Sequence, residues 1–150
     1  MFVDFYQSPL GILQIQTNHT HVLHVDFVEK ESLQAFSGTL GKNCQKQLEE
    51  YFSGKRTHFD LPLFCEGTDF QKEVWQALTV IPFGKTASYK DIAQCIGNVK
   101  ATRAAGQAIN RNPIGIMIPC HRVIGSDGSL TGYADGLWRK KWLLKHEKIG

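Results

Sequence analysis

The sequence predicts a mixed α/β fold of the α+β type, with a small strand-rich N-terminal domain that carries one helix, followed by a mainly helical C-terminal domain. Alternating apolar residues dominate the first part of the chain, whereas helical apolar spacing and helix-start signals dominate after residue 67. A basic, proline-containing stretch over residues 55–67 separates the two patterns. We therefore expect two domains, residues 1–67 and residues 68–150.

The N-terminal domain is expected to be a meander of strands followed by a helix. Apolar and polar residues alternate over residues 2–6, 11–16 and 21–28. The segment Ser8-Pro9-Leu10-Gly11 has turn chemistry and joins the first two strands. Apolar residues at helical spacing predict a helix over residues 44–52, which Gly54 ends.

The C-terminal domain begins with signals for several short helices. Thr68, followed three residues later by Gln71, is a capping box that starts the first helix. Ser88 caps a second helix that Gly97 ends, and a third helix is expected over residues 101–110. Two short helices around a glycine-containing turn are typical of a helix-turn-helix.

The third helix has a thin face of small residues, which suits either tight helix packing or docking into a narrow groove. The small residues are Ala101, Ala104, Ala105, Gly106 and Ala108. Packing alone explains the alanines, but it explains Arg103 and Arg111 less well, because arginine is rarely buried without a partner.

The last part of the chain is expected to be extended and then helical. Ile114, Ile116 and Ile118 alternate, which predicts an extended segment that residues 123–124 continue. A final helix is expected over residues 137–147. The residues expected on one of its faces are Leu137, Lys141, Leu144 and Lys145.

Charge is divided unevenly along this chain of 150 residues, whose net charge is +3. Residues 1–68 hold five Lys and Arg against eight Asp and Glu, whereas residues 69–150 hold twelve against six. The basic half predicts either a polyanionic partner or a solvated basic face. No apolar run reaches the ~18 residues of a membrane helix, and the N-terminus lacks a signal-peptide pattern. We expect a cytoplasmic protein with no membrane partner.

The cysteines show neither a CxxC pair nor another zinc-ligand spacing. Cys44, Cys65 and Cys95 are expected to be small buried apolar residues. His19 and His21 could share one strand face as metal ligands, but no third ligand has a suitable spacing, which favours an ordinary edge strand. We expect neither a metal ion nor a cofactor.

Cys120 differs from the other cysteines because Pro119, His121 and Arg122 surround it. A free thiol with a pKa near 8.5 is only a few per cent thiolate at pH 7, so a reactive thiol needs a base or positive surroundings. Successive side chains of an extended strand point to opposite faces, so coupling Cys120 to His121 requires a bridging water or a tight turn at Pro119. Glu147 is a candidate for orienting the imidazole.

Several motifs in a consistent order now point to a known family. The segment Ile118-Pro119-Cys120-His121-Arg122-Val123, preceded by Asn112-Pro113, resembles the active-site signature of the O6-alkylguanine-DNA alkyltransferases. Further matching segments are Tyr51-Phe52-Ser53-Gly54, Leu61-Pro62-Leu63, Gly67-Thr68-Asp69-Phe70-Gln71, Val74-Trp75, Ile81-Pro82-Phe83-Gly84-Lys85-Thr86, Ser88-Tyr89, Leu130-Thr131-Gly132-Tyr133 and Leu143-Leu144-Lys145-His146-Glu147. The resemblance is strong over residues 50–150 and loose over residues 1–50.

The resemblance implies DNA repair by a monomer with a ribonuclease-H-like N-terminal domain. An alkyl group, such as methyl, would move from O6-alkylguanine in duplex DNA to Cys120, and O4-alkylthymine remains open as a second substrate. The product is a thioether that water does not cleave readily, so each molecule would act once and inactivate itself irreversibly.

The resemblance also implies catalytic roles for five residues. Cys120 is the alkyl acceptor, and His121 is its general base, acting through water and oriented by Glu147. Asn112 braces the turn between the recognition helix and the active-site segment. Tyr89 hydrogen-bonds the flipped guanine and helps to rotate the phosphate behind it.

In this family the helix-turn-helix docks in the minor groove of double-stranded DNA. Arg103 would enter the duplex and fill the space that the base vacates, and a thin helix face would permit close approach. The residues of that face assigned to DNA contact are Ala104, Ala105, Gly106 and Ala108.

The base pocket would be lined by the Val123 backbone and by the loop of Tyr133, Ala134 and Asp135, with Arg122 also assigned to substrate or DNA contact. Members of the family usually have two glycines where this chain has Asp135-Gly136. Asp135 therefore places a side chain at the pocket, which bears on bulky alkyl groups. The chain also lacks the N-terminal cysteines that some members use for structural zinc.

Three other hypotheses compete with alkyl transfer. The chain could be a helix-turn-helix regulator with an incidental Pro-Cys-His-Arg segment, a cysteine hydrolase that uses Cys120 and His121, or a non-catalytic alkyltransferase-like lesion sensor. The last is disfavoured because such sensors replace the acceptor cysteine, which is intact here.

Overall fold

The computed structural model describes residues 1–32 and 36–149 and confirms the mixed α/β class. The chain divides into two compact units, one formed by Met1–Glu66 with Pro113–Met117 and the other by Gly67–Asn112 with the chain from Ile118 onward. A single boundary near residue 67 does not anticipate that Pro113–Met117 belongs with the first unit. Within the described residues, no helix is both long and apolar enough to cross a bilayer.

The first unit contains the expected antiparallel meander. Its strands are β1 (Phe2–Ser8), β2 (Gly11–Thr17) and β3 (Val22–Val28), paired in the order β1-β2-β3. Single parallel bridges join Val22 to Leu63 and Val25 to Ile114, so the returning segment 113–117 lies beside β3. The core of the sheet is formed by fully buried apolar residues from β2 and β3, namely Leu13, Ile15, Val22 and Val25.

Helix α1 (Thr39–Phe52) begins five residues before the expected start at Cys44. The carboxylate of Asp4, on β1, accepts the backbone N–H of Gly38 at 3.1 Å, just before the helix. A Cβ at Gly41 would overlap this carboxylate, so the first turn of α1 requires glycine there. The start of α1 is therefore fixed by a contact between residues distant in sequence, which helical spacing does not reveal.

The second unit contains the predicted short helices. Its elements are α2 (Asp69–Leu78), β4 (Ala87–Ser88), α3 (Tyr89–Cys95), α4 (Thr102–Asn110), β5 (Val123–Ile124) and α5 (Leu137–Ile149). The capping box of Thr68 and Gln71 is present, and a second one links Ser88 to Asp91. Gly97, with φ of +80°, ends α3, and a 3-10 turn over Val99–Ala101 leads into α4.

The prediction of an extended segment after Pro113 is wrong for residues 115–122. The chain makes turns over residues 115–117, and Cys120–Arg122 form a 3-10 turn. Ile116 has a φ of +68°, in the left-handed region that non-glycine residues rarely adopt. The alternating isoleucines are all buried, but they reach the interior because the backbone folds back, not because it forms a strand.

The cysteines occupy three different environments, and no disulfide joins them. Cys44 is buried as expected, and Cys65 is half-buried. The prediction for Cys95 is wrong, since its side chain is exposed. It is the last residue of α3, whose buried positions are Ile92 and Ala93.

Candidate active site

The thiol of Cys120 lies at the start of the 3-10 turn, just after Pro119, and is 9% exposed. Asn112 donates a hydrogen bond from Nδ2 to the carbonyl of Ile118 at 2.8 Å, which ties the end of α4 to this turn. Burial raises the pKa of Cys120 to about 11, although a hydrogen bond from Asn112 opposes the rise. The thiol is therefore protonated at neutral pH, and a reaction at sulfur needs a base to remove the proton.

His121 is suited to be that base. Its side chain is fully buried, and Nε2 lies 2.6 Å from Oε2 of Glu147. Burial lowers the pKa of His121, although Glu147 opposes the decrease, so the ring is neutral at pH 7. A neutral ring that donates from Nε2 to the carboxylate carries a lone pair on Nδ1. Nδ1 has no hydrogen-bond partner among the described residues, so it can accept a proton.

Arg122, which the resemblance assigns to substrate or DNA contact, is bonded to Glu147 in the structure. Its Nε and Nη2 donate to the two carboxylate oxygens of Glu147 at 2.8 and 3.1 Å. Its Nη1 donates to the carbonyl of Ile81 at 2.6 Å. With 7% of the residue exposed, this guanidinium is a buried counter-charge to the carboxylate of Glu147, which also contacts His121.

The face of α5 that points inward is not the face that carries Leu137, Lys141, Leu144 and Lys145. Lys140, Leu143 and Glu147 are buried, whereas Lys141 and Lys145 are exposed and Leu137 is 49% exposed. The sequence analysis missed Lys140, whose ammonium donates to the carbonyl of Thr131 at 2.8 Å. The spacing could have revealed it, because Lys140 and Leu143 lie seven and four residues before Glu147, on the same helix face.

Tyr89 and the loop after β5 form a second side of the site. The hydroxyl of Tyr89 donates to the carbonyl of Thr131 at 2.8 Å, and burial raises its pKa, so it remains a donor. Tyr133 is 8% exposed, and its hydroxyl has no partner among the described residues. Asp135 is half-buried, and its charge opposes ionisation of Cys120. Ala134, between them, is exposed.

The thin face of α4 is only partly exposed. Arg103 and Ala104 face solvent, and Gly106 is half-buried next to the ring of Tyr89. Ala105 and Ala108, also assigned to DNA contact by the resemblance, are buried, so neither side chain faces solvent in the structure. Both pack inside the second unit, where the indole of Trp75 donates to the carbonyl of Ala108 at 2.8 Å.

Comparison with known proteins places this geometry in a family. Residues 69–149 match the 6-O-methylguanine DNA methyltransferase, DNA binding domain, and residues 1–65 match the ribonuclease-like domain of the same enzymes. A methylated-DNA–protein-cysteine methyltransferase from Methanosarcina barkeri is 50% identical over 99% of this chain and 98% of its own length. The chain belongs to the 6-O-methylguanine DNA methyltransferase family.

Other members of the family extend the comparison to bacteria and to solved structures. A constitutive methylated-DNA–protein-cysteine methyltransferase from Bacillus subtilis is 44% identical, over 95% of this chain and 93% of its own length. The crystal structure of Mycobacterium tuberculosis OGT in complex with DNA superposes with a TM-score of 0.90 at 42% identity, covering 99% of this chain and 94% of that one. The resemblance inferred from the motifs is thus confirmed.

Val123 is the remaining residue that the family motif predicts at the pocket, through its backbone. Its side chain is fully buried in β5, which pairs in parallel with β4. Its N–H donates to the carbonyl of Cys120, so this N–H is not available to a ligand.

The buried neutral state of His121 predicts a dependence of stability on pH. In the unfolded chain, histidine has a pKa near 6.5, and burial lowers the pKa in the folded protein. As the pH falls, the unfolded state therefore binds a proton at a higher pH than the folded state does. The contribution of neutral His121 to the free energy of unfolding is fully present above about pH 6.5, and it is lost as the pH decreases toward the pKa of His121 in the folded protein. Denaturant unfolding between about pH 5 and 8 measures this loss. His121→Gln should flatten the profile in this range, whereas His24→Gln, at an exposed residue, should leave it steep.

Proposed function

We propose that this chain repairs DNA by moving an alkyl group, methyl foremost, from O6 of guanine in a duplex to Sγ of Cys120. The observation that carries the proposal is the buried series of a protonated thiol, a neutral imidazole with its lone pair on Nδ1, and a carboxylate that fixes this tautomer. The relatives are named as methyltransferases that act between methylated DNA and a protein cysteine, which agrees with this chemistry.

In the proposed reaction, Nδ1 of His121 takes the thiol proton through a water molecule, and the thiolate attacks the alkyl carbon. The S–C bond forms as the C–O bond breaks, and the electron pair of that bond passes to the guanine. Glu147 stabilises the imidazolium, while the hydroxyl of Tyr89 donates to the departing purine. Asn112 holds the turn that presents Cys120. The thioether product is stable to water, so we propose that one molecule repairs one lesion and is then consumed.

Binding is proposed to use α3 and α4 as a helix-turn-helix in the minor groove. The sulfur is buried, so the damaged base must leave the stack, at a cost of a few kcal/mol. The exposed Arg103 can fill the space left in the duplex, and Ala104 allows close approach. Repair does not require sequence readout, so phosphate contacts and duplex deformation can supply the affinity.

The proposal also assigns separate roles to the two domains and a compartment to the protein. Residues 68–150 would hold both DNA binding and chemistry, with residues 1–67 as the ribonuclease-H-like domain of a monomer that needs no cofactor. A reducing compartment, the cytoplasm, suits a protein whose acceptor thiol must remain reduced and whose cysteines form no disulfide.

Mass spectrometry after incubation with an O6-methylguanine duplex tests the proposal. The expected result is one methyl group on Cys120, with at most one equivalent transferred per protein molecule. Repeated turnover would instead indicate a hydrolase, and binding to a preferred undamaged sequence without transfer would indicate a regulator. Binding to the lesion without a covalent product would indicate a sensor.

Replacing Arg103 by alanine should slow transfer from duplex DNA. If Arg103 fills the vacated stack, its removal raises the free energy of the extruded state by about 1–3 kcal/mol, which is roughly 5- to 150-fold in the single-turnover rate. The matched control is Arg111→Ala, at an exposed residue that follows α4. A second control uses O6-methylguanine as the free base, with which Arg103→Ala should match wild type. Equal rates of wild type and Arg103→Ala on the duplex would contradict the role.

A further inference from the structure

The carbonyl of Thr131 accepts hydrogen bonds from two side chains that lie on different helices. The hydroxyl of Tyr89, on α3, donates at 2.8 Å, and the ammonium of Lys140, on α5, also donates at 2.8 Å. The same ammonium lies 6.0 Å from the centroid of the Tyr89 ring. The two donors therefore share one acceptor at the start of the loop that leads to Tyr133.

Lys140 is an unusual residue to find in the interior. It is 1% exposed, and within the described residues no carboxylate oxygen lies within 4.0 Å of its ammonium. Burial lowers the pKa of Lys140, which reflects the cost of removing this charge from water. An apolar residue would fill the position at lower cost, so the Thr131 contact points to a role in the site.

Tyr89 cannot serve both of its acceptors at once. A phenol hydroxyl has a single hydrogen, and in the structure that hydrogen is directed to Thr131. The proposed reaction needs the same hydrogen at the departing purine. The hydroxyl also lies close to the backbone of Gly132, where a Cβ would be 2.8 Å from it.

We propose that Lys140 is a positioning residue that keeps the carbonyl of Thr131, and with it the pocket loop, in place when Tyr89 turns its hydroxyl toward the substrate. This inference rests on the proposed alkyl transfer. A charged ammonium donor forms a stronger bond to a carbonyl than a neutral hydroxyl does, so the loop remains attached to α5 after the hydroxyl leaves. Tyr89 is then free to bind the purine without displacing Tyr133 and Asp135.

Single-turnover transfer rates on an O6-methylguanine duplex test this role in a double-mutant cycle. In protein with wild-type Tyr89, Lys140→Met should slow transfer about tenfold, which corresponds to the net free energy of one hydrogen bond. In the Tyr89→Phe background the same change should slow transfer at least as much, because the carbonyl of Thr131 then has neither of its two side-chain donors. Lys140→Arg should restore most of the rate, and Lys141→Met, at the exposed neighbour on α5, should have no effect.

The cycle separates this inference from its alternatives. The loop amides after Thr131 should also exchange faster in the double variant than in Tyr89→Phe; slowed transfer with unchanged exchange would overturn the inference and would indicate that the charge of Lys140 acts directly on Cys120. An unchanged rate for Lys140→Met would also overturn it. If wild-type protein transfers no methyl group, the proposed function fails, whereas normal wild-type transfer with no slowing or no faster loop exchange after loss of Lys140 refutes only the role of Lys140.

A second measurement avoids any change at the buried lysine. Hydrogen exchange of the loop amides after Thr131 should be the same in Tyr89→Phe as in wild type, because Lys140 still holds the carbonyl. Faster exchange in Tyr89→Phe would show that the hydroxyl carries the loop and would overturn the inference, even if Lys140→Met does not fold.

Discussion

Replacing Cys120 by alanine abolishes methyl transfer and leaves affinity for duplex DNA nearly unchanged. No other group in the proposed reaction can form the bond to carbon, so the expected loss is complete. The Cys120 side chain is 9% exposed. Its removal retains the hydrogen bond from Asn112 to the carbonyl of Ile118 and the one between His121 and Glu147. Because phosphate contacts would supply most of the affinity, binding should stay within about twofold of wild type. Transfer is measured by mass spectrometry and binding by fluorescence anisotropy.

The matched control for this prediction is Cys95→Ala. Cys95 is exposed and therefore more accessible than Cys120, yet it has no neutral histidine held by a carboxylate. It should transfer methyl at the wild-type rate. Residual transfer by Cys120→Ala, or methylation of another residue in wild type, would contradict the assignment of the acceptor.

The fold could be predicted from sequence where the signals are local. The capping box of Thr68, the helix cap at Ser88, the turn after β1 and the alternation in β2 each depend on residues within a few positions of one another. These elements formed as expected. The start of α1 depends on Asp4, more than thirty residues away, so no local signal contained it.

The extended segment expected after Pro113 shows a different limit. Alternation of buried isoleucines is the pattern of a strand, but a chain that turns back on itself can bury the same residues. Ile116 adopts a positive φ that a β-branched residue does not favour, and surrounding tertiary contacts are needed to hold it there. Cys120 therefore lies at the start of a 3-10 turn and not within an extended strand.

The sequence predicts the site residues that belong to the family motif, but it does not reveal contacts that depend on how the helices pack. The motif identified Cys120 and His121, and the Glu147 contact that spacing alone could not establish is present at 2.6 Å. The motif gave no role for Lys140, and it assigned Arg122 to substrate or DNA contact without indicating the ion pair with Glu147. Both the burial of Lys140 and the Arg122–Glu147 pair depend on which face of α5 is buried. The weak apolar pattern of the helix does not mark that face, although the spacing of Lys140 and Leu143 relative to Glu147 is consistent with it.

Replacing Glu147 by glutamine should reduce both stability and transfer. Glutamine keeps the size of the side chain but removes the charge that receives Nε2 of His121 and two nitrogens of Arg122. Removing one partner of a buried ion pair leaves the other charge uncompensated, which costs about 3–5 kcal/mol in the free energy of unfolding. Loss of the fixed tautomer removes the base, so the single-turnover rate should fall at least about 100-fold. Denaturant unfolding and transfer from a methylated duplex measure the two effects, with Glu73→Gln, at an exposed residue on α2, as the control.

A second substitution separates the two effects of Glu147→Gln. Adding Arg122→Met removes the cation that Glu147→Gln leaves unpaired while keeping an apolar stem beside Phe83, whose ring centroid lies 5.9 Å from the guanidinium. The double variant should recover part of the lost stability, because a buried pair replaced by apolar groups is often no less stable than the pair itself. It should not recover transfer, since His121 still lacks the acceptor that directs its lone pair to Nδ1. Recovery of transfer together with stability would show that Glu147 acts only through the fold and not by orienting the base.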